Sequence, residues 1–174
     1  WMDAQLEATY EGPEAVQRAQ RAGYGRIGEN RVQEALDKKD RLEDSVAGDL
    51  EWHFIGHLQS NKARTTSGEF DLVHSVDRES LVDEFDKRLA REGVIQEVLL
   101  QVNTSGEESK HGVSPRDAPR LLEMILDCST MRVRGLMTMA PWTEDDSVLR
   151  ETFASCRELR NRLEDDFSVE LPEL

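Results

Sequence analysis

The sequence predicts an α/β fold of parallel strands alternating with helices, with a TIM-type (β/α) barrel slightly favoured over a doubly wound sheet. Three observations lead there. Six short apolar segments alternate with amphipathic segments along the 174 residues, the rhythm of a parallel sheet with helical connections. The apolar segments run out into polar or glycine-containing turns, and the carboxyl ends of strands are where both architectures gather ligands. Neither a Gly-x-Gly-x-x-Gly fingerprint nor a P-loop is present, which counts against nucleotide binding.

Taken in order, residues 4–9 read as a weak first strand, broken by Gly12-Pro13. Pro13 suits the first turn of a helix; Ala15, Val16, Ala19 and Ala22 follow helical spacing and Gly23 ends it. Residues 26–30 form a brief strand and turn, and Val32, Ala35 and Leu36 mark a second helix. The third strand, Glu51 to Gly56, turns at its glycine into polar residues. Residues 70–76 form the fourth, with Asp77 as expected cap of a helix carrying Leu81, Val82, Phe85 and Leu89 on one face. Residues 97–103 have the near-continuous apolar run of a strand buried on both faces.

A polar loop follows to Val113, and Ser114-Pro115 is expected to open a helix bearing Leu121, Leu122, Ile125 and Leu126. The sixth strand covers residues 132–139. A last helix spans Ser147 to Asp165 through Leu149, Phe153, Cys156, Leu159 and Leu163. The length fits one domain with a substantial core.

Charge narrows the function. Asp and Glu number 36 against 22 Lys and Arg, a formal net charge of −14. Such a surface repels phosphate backbones, so nucleic acid is not an expected partner. Only Lys38, Lys39, Lys62, Lys87 and Lys110 are lysine, a bias that suits either an ordinary acidic protein or one adapted to high salt. Cys128 and Cys156 make neither a disulfide framework nor a metal cluster and read as small buried side chains. No apolar run can span a bilayer and no signal-peptide pattern opens the chain; no membrane partner and a cytoplasmic location are expected.

The candidate chemistry lies at the predicted strand ends: Glu29 and Asn30, His57, His74 and Ser75, Asn103, and Thr138 with Met139. Together they would ring one pocket at the top of a barrel. Asn30 and Asn103 suit backbone capping in turns equally well. His53 and His57 are four apart, but His53 lies in a strand and Gly56 intervenes, so helical metal-ligand spacing does not apply and no metal is expected. Ser109-Lys110-His111-Gly112 reads as an anion-binding loop or a solvated charged one. Met137 and Met139 share one side of their strand, as core or as pocket wall. No nucleophile elbow is present.

Six motifs fall together in order: Gly28-Glu29-Asn30-Arg31-Val32-Gln33-Glu34, Trp52 to Lys62 with Arg64, His74-Ser75-Val76-Asp77, Gln101-Val102-Asn103, Ser109 to Gly112, and Arg134-Gly135-Leu136-Met137. From about Pro13 to Leu174 the chain resembles the pyridoxal 5′-phosphate homeostasis proteins, whose fold is labelled alanine racemase N-terminal domain. The resemblance implies a single (β/α) barrel that buffers and delivers pyridoxal 5′-phosphate as a non-catalytic carrier. It places Asn30, Ile55, Gly56, Ser75, Asn103 and Met137 on the walls of the cofactor pocket.

Two departures from the family pattern set further expectations. The family's Schiff-base lysine falls near Thr9, and this chain has no lysine before Lys38. The phosphate-holding strands would follow Leu174, so about six of eight strand–helix units are expected, with open strand edges for a second copy to complete as a homo-oligomer. Cofactor binding is accordingly expected to be impaired. A cofactor-free scaffold of the same fold and an amino-acid racemase are the alternatives, the second resting on the fold label alone.

Overall fold

The computed structural model describes residues 13–42 and 50–174. Helix α1 (Pro13–Arg21) leads to β1 (Arg26–Glu29), α2 (Val32–Arg41) and β2 (Glu51–Phe54). A 3₁₀ turn (Ser60–Lys62) runs into the short α3 (Ala63–Thr66), followed by β3 (Leu72–Val76), α4 (Glu79–Glu92), β4 (Gln96–Gln101), α5 (Ala118–Asp127), β5 (Met131–Met137) and α6 (Asp146–Phe167). The expected strand at residues 4–9 and the Thr9 position lie outside the described residues.

Among the described residues five strands form one sheet in the order β1-β2-β3-β4-β5, every neighbouring pair parallel. This order decides between the two architectures. A doubly wound sheet reverses direction at a switch point, whereas here each new strand joins the same growing edge, the winding of a (β/α) barrel. After α6 the chain returns to that edge: the Leu136 amide donates to the Glu173 carbonyl and the Glu173 amide to the Arg134 carbonyl.

The strand register separates the two faces. The row Glu29, Phe54, Val73, Val98 and Val133 turns toward the helices, and the row Gly28, His53, Leu72, Glu97 and Arg132 turns away from them. The helix-facing side packs Trp52, Phe54, Val73, Val98, Leu100 and Leu136 against Leu81, Val82, Phe85 and Leu89 of α4, Leu121, Leu122 and Ile125 of α5, and Cys156, Leu159 and Leu163 of α6. The helical spacing of the α4 residues thus buries one face, as the sequence indicated. The side away from the helices holds a pair of histidines and the Glu97–Arg134 ion pair.

Several local expectations are corrected. Asp77 does not cap α4; Arg78 occupies the N-cap position and no side chain closes it, because the Asp77 carboxylate is engaged by Arg78 and faces His57. Helix α5 starts at Ala118 rather than at Ser114-Pro115, since the Ser114 hydroxyl and Asp117 bond each other and hold the intervening residues as a turn. Leu126 and Phe153 are exposed, each one step round the helix from the buried stripe. Both cysteines are free; Cys156 is buried and Cys128 half-buried, and burial pushes each thiol up to about 11.

Candidate functional site at the carboxyl rim of the sheet

The strand ends meet through a few close contacts, one of them at Gly56. A Cβ placed there would lie 2.2 Å from the Asn30 carbonyl oxygen, so only glycine lets the turn after β2 pass this closely under the turn after β1. The adjacent Ile55 amide donates to the Glu29 carbonyl at 2.8 Å. The Ile55 side chain then covers Gly28, where a Cβ would meet its Cδ1 at 3.2 Å. Asn30, Ile55 and Gly56, separate in sequence, therefore form one wall.

On the same side as Gly28, His53 Nδ1 and His74 Nε2 lie 3.0 Å apart across β2 and β3, one ring donating to the other. Burial, then the neighbouring His53, hold His74 down to about 4. Burial, then the Arg26 guanidinium, likewise depress His53. Next to this pair, Ser75 sits where β3 bulges against β4. Its hydroxyl is buried with no hydrogen-bond partner, as is the Gln101 Oε1. Buried polar atoms left unpaired are uncommon and mark places where a bound group would supply the partner.

Asn103 has a different job. Its Nδ2 donates to the Glu107 and Lys110 carbonyls, and its Oδ1 accepts from the Ser105 hydroxyl and the Gly106 amide. All four contacts hold the loop 104–113, the capping behaviour its residue type suggested. Gly112 closes that loop with φ +127°, and a Cβ there would stand 2.5 Å from the Asn103 amide nitrogen. Met137, half-buried, ends β5 opposite Gln101. Thr138 bonds Thr104 at 2.8 Å and Thr104 bonds the Thr152 carbonyl, tying β5 and the loop to α6.

A second grouping lies farther out. An open cleft of about 580 Å³ is lined by His57, Gln59, Ser60, Asp77, Arg78 and His111. Arg78 donates to the Leu58 carbonyl at 2.6 Å and to the Ser60 hydroxyl at 3.2 Å, binding the turn after β2 to the end of β3. The His57 and His111 rings stack with centroids 3.8 Å apart, tilted by 14°. Sequence reasoning named His57, Asp77 and His111 separately and did not join them. No linear spacing links positions 57, 77 and 111; only the parallel strand order brings them together.

The lysines sort by environment. Lys38 pairs with Glu29 at 2.7 Å, and Lys39 donates to the Glu69 carbonyl while lying over the Trp52 and Phe70 rings. Lys62 ends the 3₁₀ turn beside the cleft, exposed, and Lys110 sits next to His111 in the loop. No helix among the described residues is long and apolar enough to cross a membrane.

Comparison with known proteins places the fold in a family. The alanine racemase N-terminal domain model matches residues 8–172. A pyridoxal phosphate homeostasis protein of Aquifex aeolicus is 43% identical over 162 residues, covering 93% of this chain and 70% of that protein. Across curated relatives of that name the chain spans from 56% to 70% of their length. PipY of Synechococcus elongatus, solved with PLP bound, superposes with TM-score 0.79 at 31% identity, covering 92% of this chain and 73% of that one. An alanine racemase of Clostridium difficile superposes with TM-score 0.77 at 12% identity, covering 95% of this chain and 42% of the racemase, which shows a shared fold alone.

Proposed function

The chain belongs to the alanine racemase N-terminal domain family, on the branch of the pyridoxal phosphate homeostasis proteins, and from that premise we propose that it binds pyridoxal 5′-phosphate as a carrier. The observation that supports this most is the buried, unpartnered Ser75 hydroxyl at the carboxyl end of β3. An orphaned donor at a barrel's carboxyl rim fits the ring nitrogen or a substituent oxygen of a flat heteroaromatic cofactor. When bound, the cofactor supplies a reactive aldehyde and an electron-withdrawing ring.

Around it this chain's residues would have simple duties. Ile55 supplies an apolar ring contact, Gly56 keeps the wall flat, and Ser75 offers a hydroxyl. Met137 bounds the site at β5. Asn103 acts at one remove, by holding the loop 104–113 in place. His74, held neutral by burial, offers no cation to the site and exchanges its hydrogen bond with His53.

Carriage is favoured over turnover. A racemase requires acid and base groups facing both sides of the substrate carbon, and the imidazoles on the face away from the helices are bonded to each other. The family's lysine position near Thr9 carries no amine, and Lys38 and Lys39 are engaged elsewhere. Lys87 lies on the exposed face of α4, so covalent capture in this chain is assigned to Lys62 or Lys110, and the principal hold on the cofactor is non-covalent. A cytoplasmic, homo-oligomeric carrier without a nucleic-acid partner completes the proposal, the last point resting on the net charge of −14.

The test is a spectral titration with pyridoxal 5′-phosphate, followed by borohydride reduction and peptide mapping. Saturable binding weakened by Ser75→Val, with any phosphopyridoxyl label on Lys62 or Lys110, is the expected result. Absence of saturable binding would favour the cofactor-free scaffold, and racemised alanine in the same mixture would favour the enzyme.

A further inference from the structure

We propose that His57, Asp77 and His111 form a binding site for a divalent transition-metal ion of the zinc class, clamping the loop 104–113 onto the ends of β2 and β3. The three residues come from three separate segments: the turn after β2, the residue following β3, and the loop after β4. Their donor atoms all lie within 4.8 Å of one another. His57 Nδ1 is 3.6 Å from Asp77 Oδ2. Two imidazoles and one carboxylate make a donor set suited to zinc and its neighbours rather than to magnesium or calcium, which prefer oxygen ligands.

Neighbouring contacts support the geometry. Arg78 engages Oδ1 of Asp77 and so leaves Oδ2 directed at His57, the orientation that outer contacts impose on a ligating carboxylate. The same arginine is anchored to the Leu58 carbonyl and Ser60 hydroxyl, which holds it beside Asp77. His57 and His111 are both exposed, and their stacked rings are free to turn. Zinc at its usual bond lengths of about 2.0–2.2 Å needs donors roughly 3.3–3.5 Å apart. The closure required is about 1 Å, which rotation of two surface imidazoles supplies. Three protein donors leave a fourth position for water from the open cleft.

The site shares no residue with the wall of Asn30, Ile55 and Gly56, and it uses neither the His53–His74 pair nor any lysine. Its consequence is mechanical: one ion would join the loop, already held by Asn103 and tied to α6 through Thr104, to the two neighbouring strand ends.

Cobalt(II) serves as the probe, titrated into the cofactor-free full chain at pH 7.5 and followed by its visible ligand-field absorption, with zinc as competitor. One equivalent should bind saturably and be displaced by zinc. His57→Asn and His111→Asn should each weaken binding at least about tenfold through loss of a nitrogen donor, while His74→Asn leaves it unchanged. His111 is exposed, so its variant retains the fold and keeps the test decisive. Absence of a saturable band at millimolar cobalt would overturn the proposal. So would binding that survives both cleft variants or is abolished by His74→Asn. Because no pyridoxal phosphate is present, this outcome is independent of the carrier reading.

Discussion

Gly56→Ala measures how tightly the rim is built. The added Cβ would stand 2.2 Å from the Asn30 carbonyl oxygen, with the Asn30 carbonyl carbon at 2.8 Å. Comfortable contact is about 3.5 Å, and the obstacle is backbone, which has no rotamer by which to retreat. The two turns must part by about 1 Å. The Ile55 amide to Glu29 carbonyl bond, 2.8 Å long, would then be stretched out of range. Its loss costs about 1 kcal/mol and the overpacking adds roughly 1–3 kcal/mol. The variant should be destabilised by about 2–4 kcal/mol, a drop in melting temperature of roughly 5–15 °C for a chain of this size.

Gly25→Ala is the control. No heavy atom lies within 4 Å of a Cβ built at Gly25, so it should be nearly neutral or slightly stabilising. Urea titrations of both variants, with calorimetry, provide the comparison. A Gly56→Ala protein within about 0.5 kcal/mol of the parent would refute the close approach on which the proposed pocket wall depends.

Two further predictions concern charge. His74 has its pKa lowered from 6.5 to about 4 in the folded chain, so the unfolded state binds more protons between those values. The resulting stability is present above pH 6.5 and is lost as pH falls toward 4. His74→Asn should shrink the loss of stability between pH 7 and pH 4.5, and equal pH dependence in both proteins would contradict this. Lys38→Met should leave the Glu29 carboxylate, with its side chain 9% exposed, without its 2.7 Å partner. The expected loss is about 3 kcal/mol, largely recovered in the Glu29→Gln, Lys38→Met double variant; additive losses in a double-mutant cycle would show that the pair is not coupled.

Much of this protein could be read from its residues because the governing forces are local and periodic. Helix α4 buries Leu81, Val82, Phe85 and Leu89 because apolar side chains at that spacing share one face whatever surrounds the helix. Strand β4 was recognisable as doubly covered from its unbroken Val98-Leu99-Leu100 run, all three buried. The motif string from Trp52 to Lys62 carried the family. Where side chains competed locally, sequence rules gave the wrong partner: Asp77 has the residue type of a cap, but Arg78 and His57 hold it instead, and Ser114 with Asp117 delays α5.

Tertiary structure alone decided three things. Strand order distinguished the barrel winding from the doubly wound sheet, since both share the same alternation along the chain. Gly56 acquired its reason only when the Asn30 carbonyl came to lie against it. The histidines changed partners: His57, four residues from His53 in sequence, meets His111 instead, and His53 meets His74. In a parallel sheet, neighbouring strands are separated by a full helical crossover. Groups that touch across two strand ends are therefore far apart in the chain, 18 residues for Ser60 and Arg78 and 21 for His53 and His74, and no short-range pattern in the sequence records their meeting.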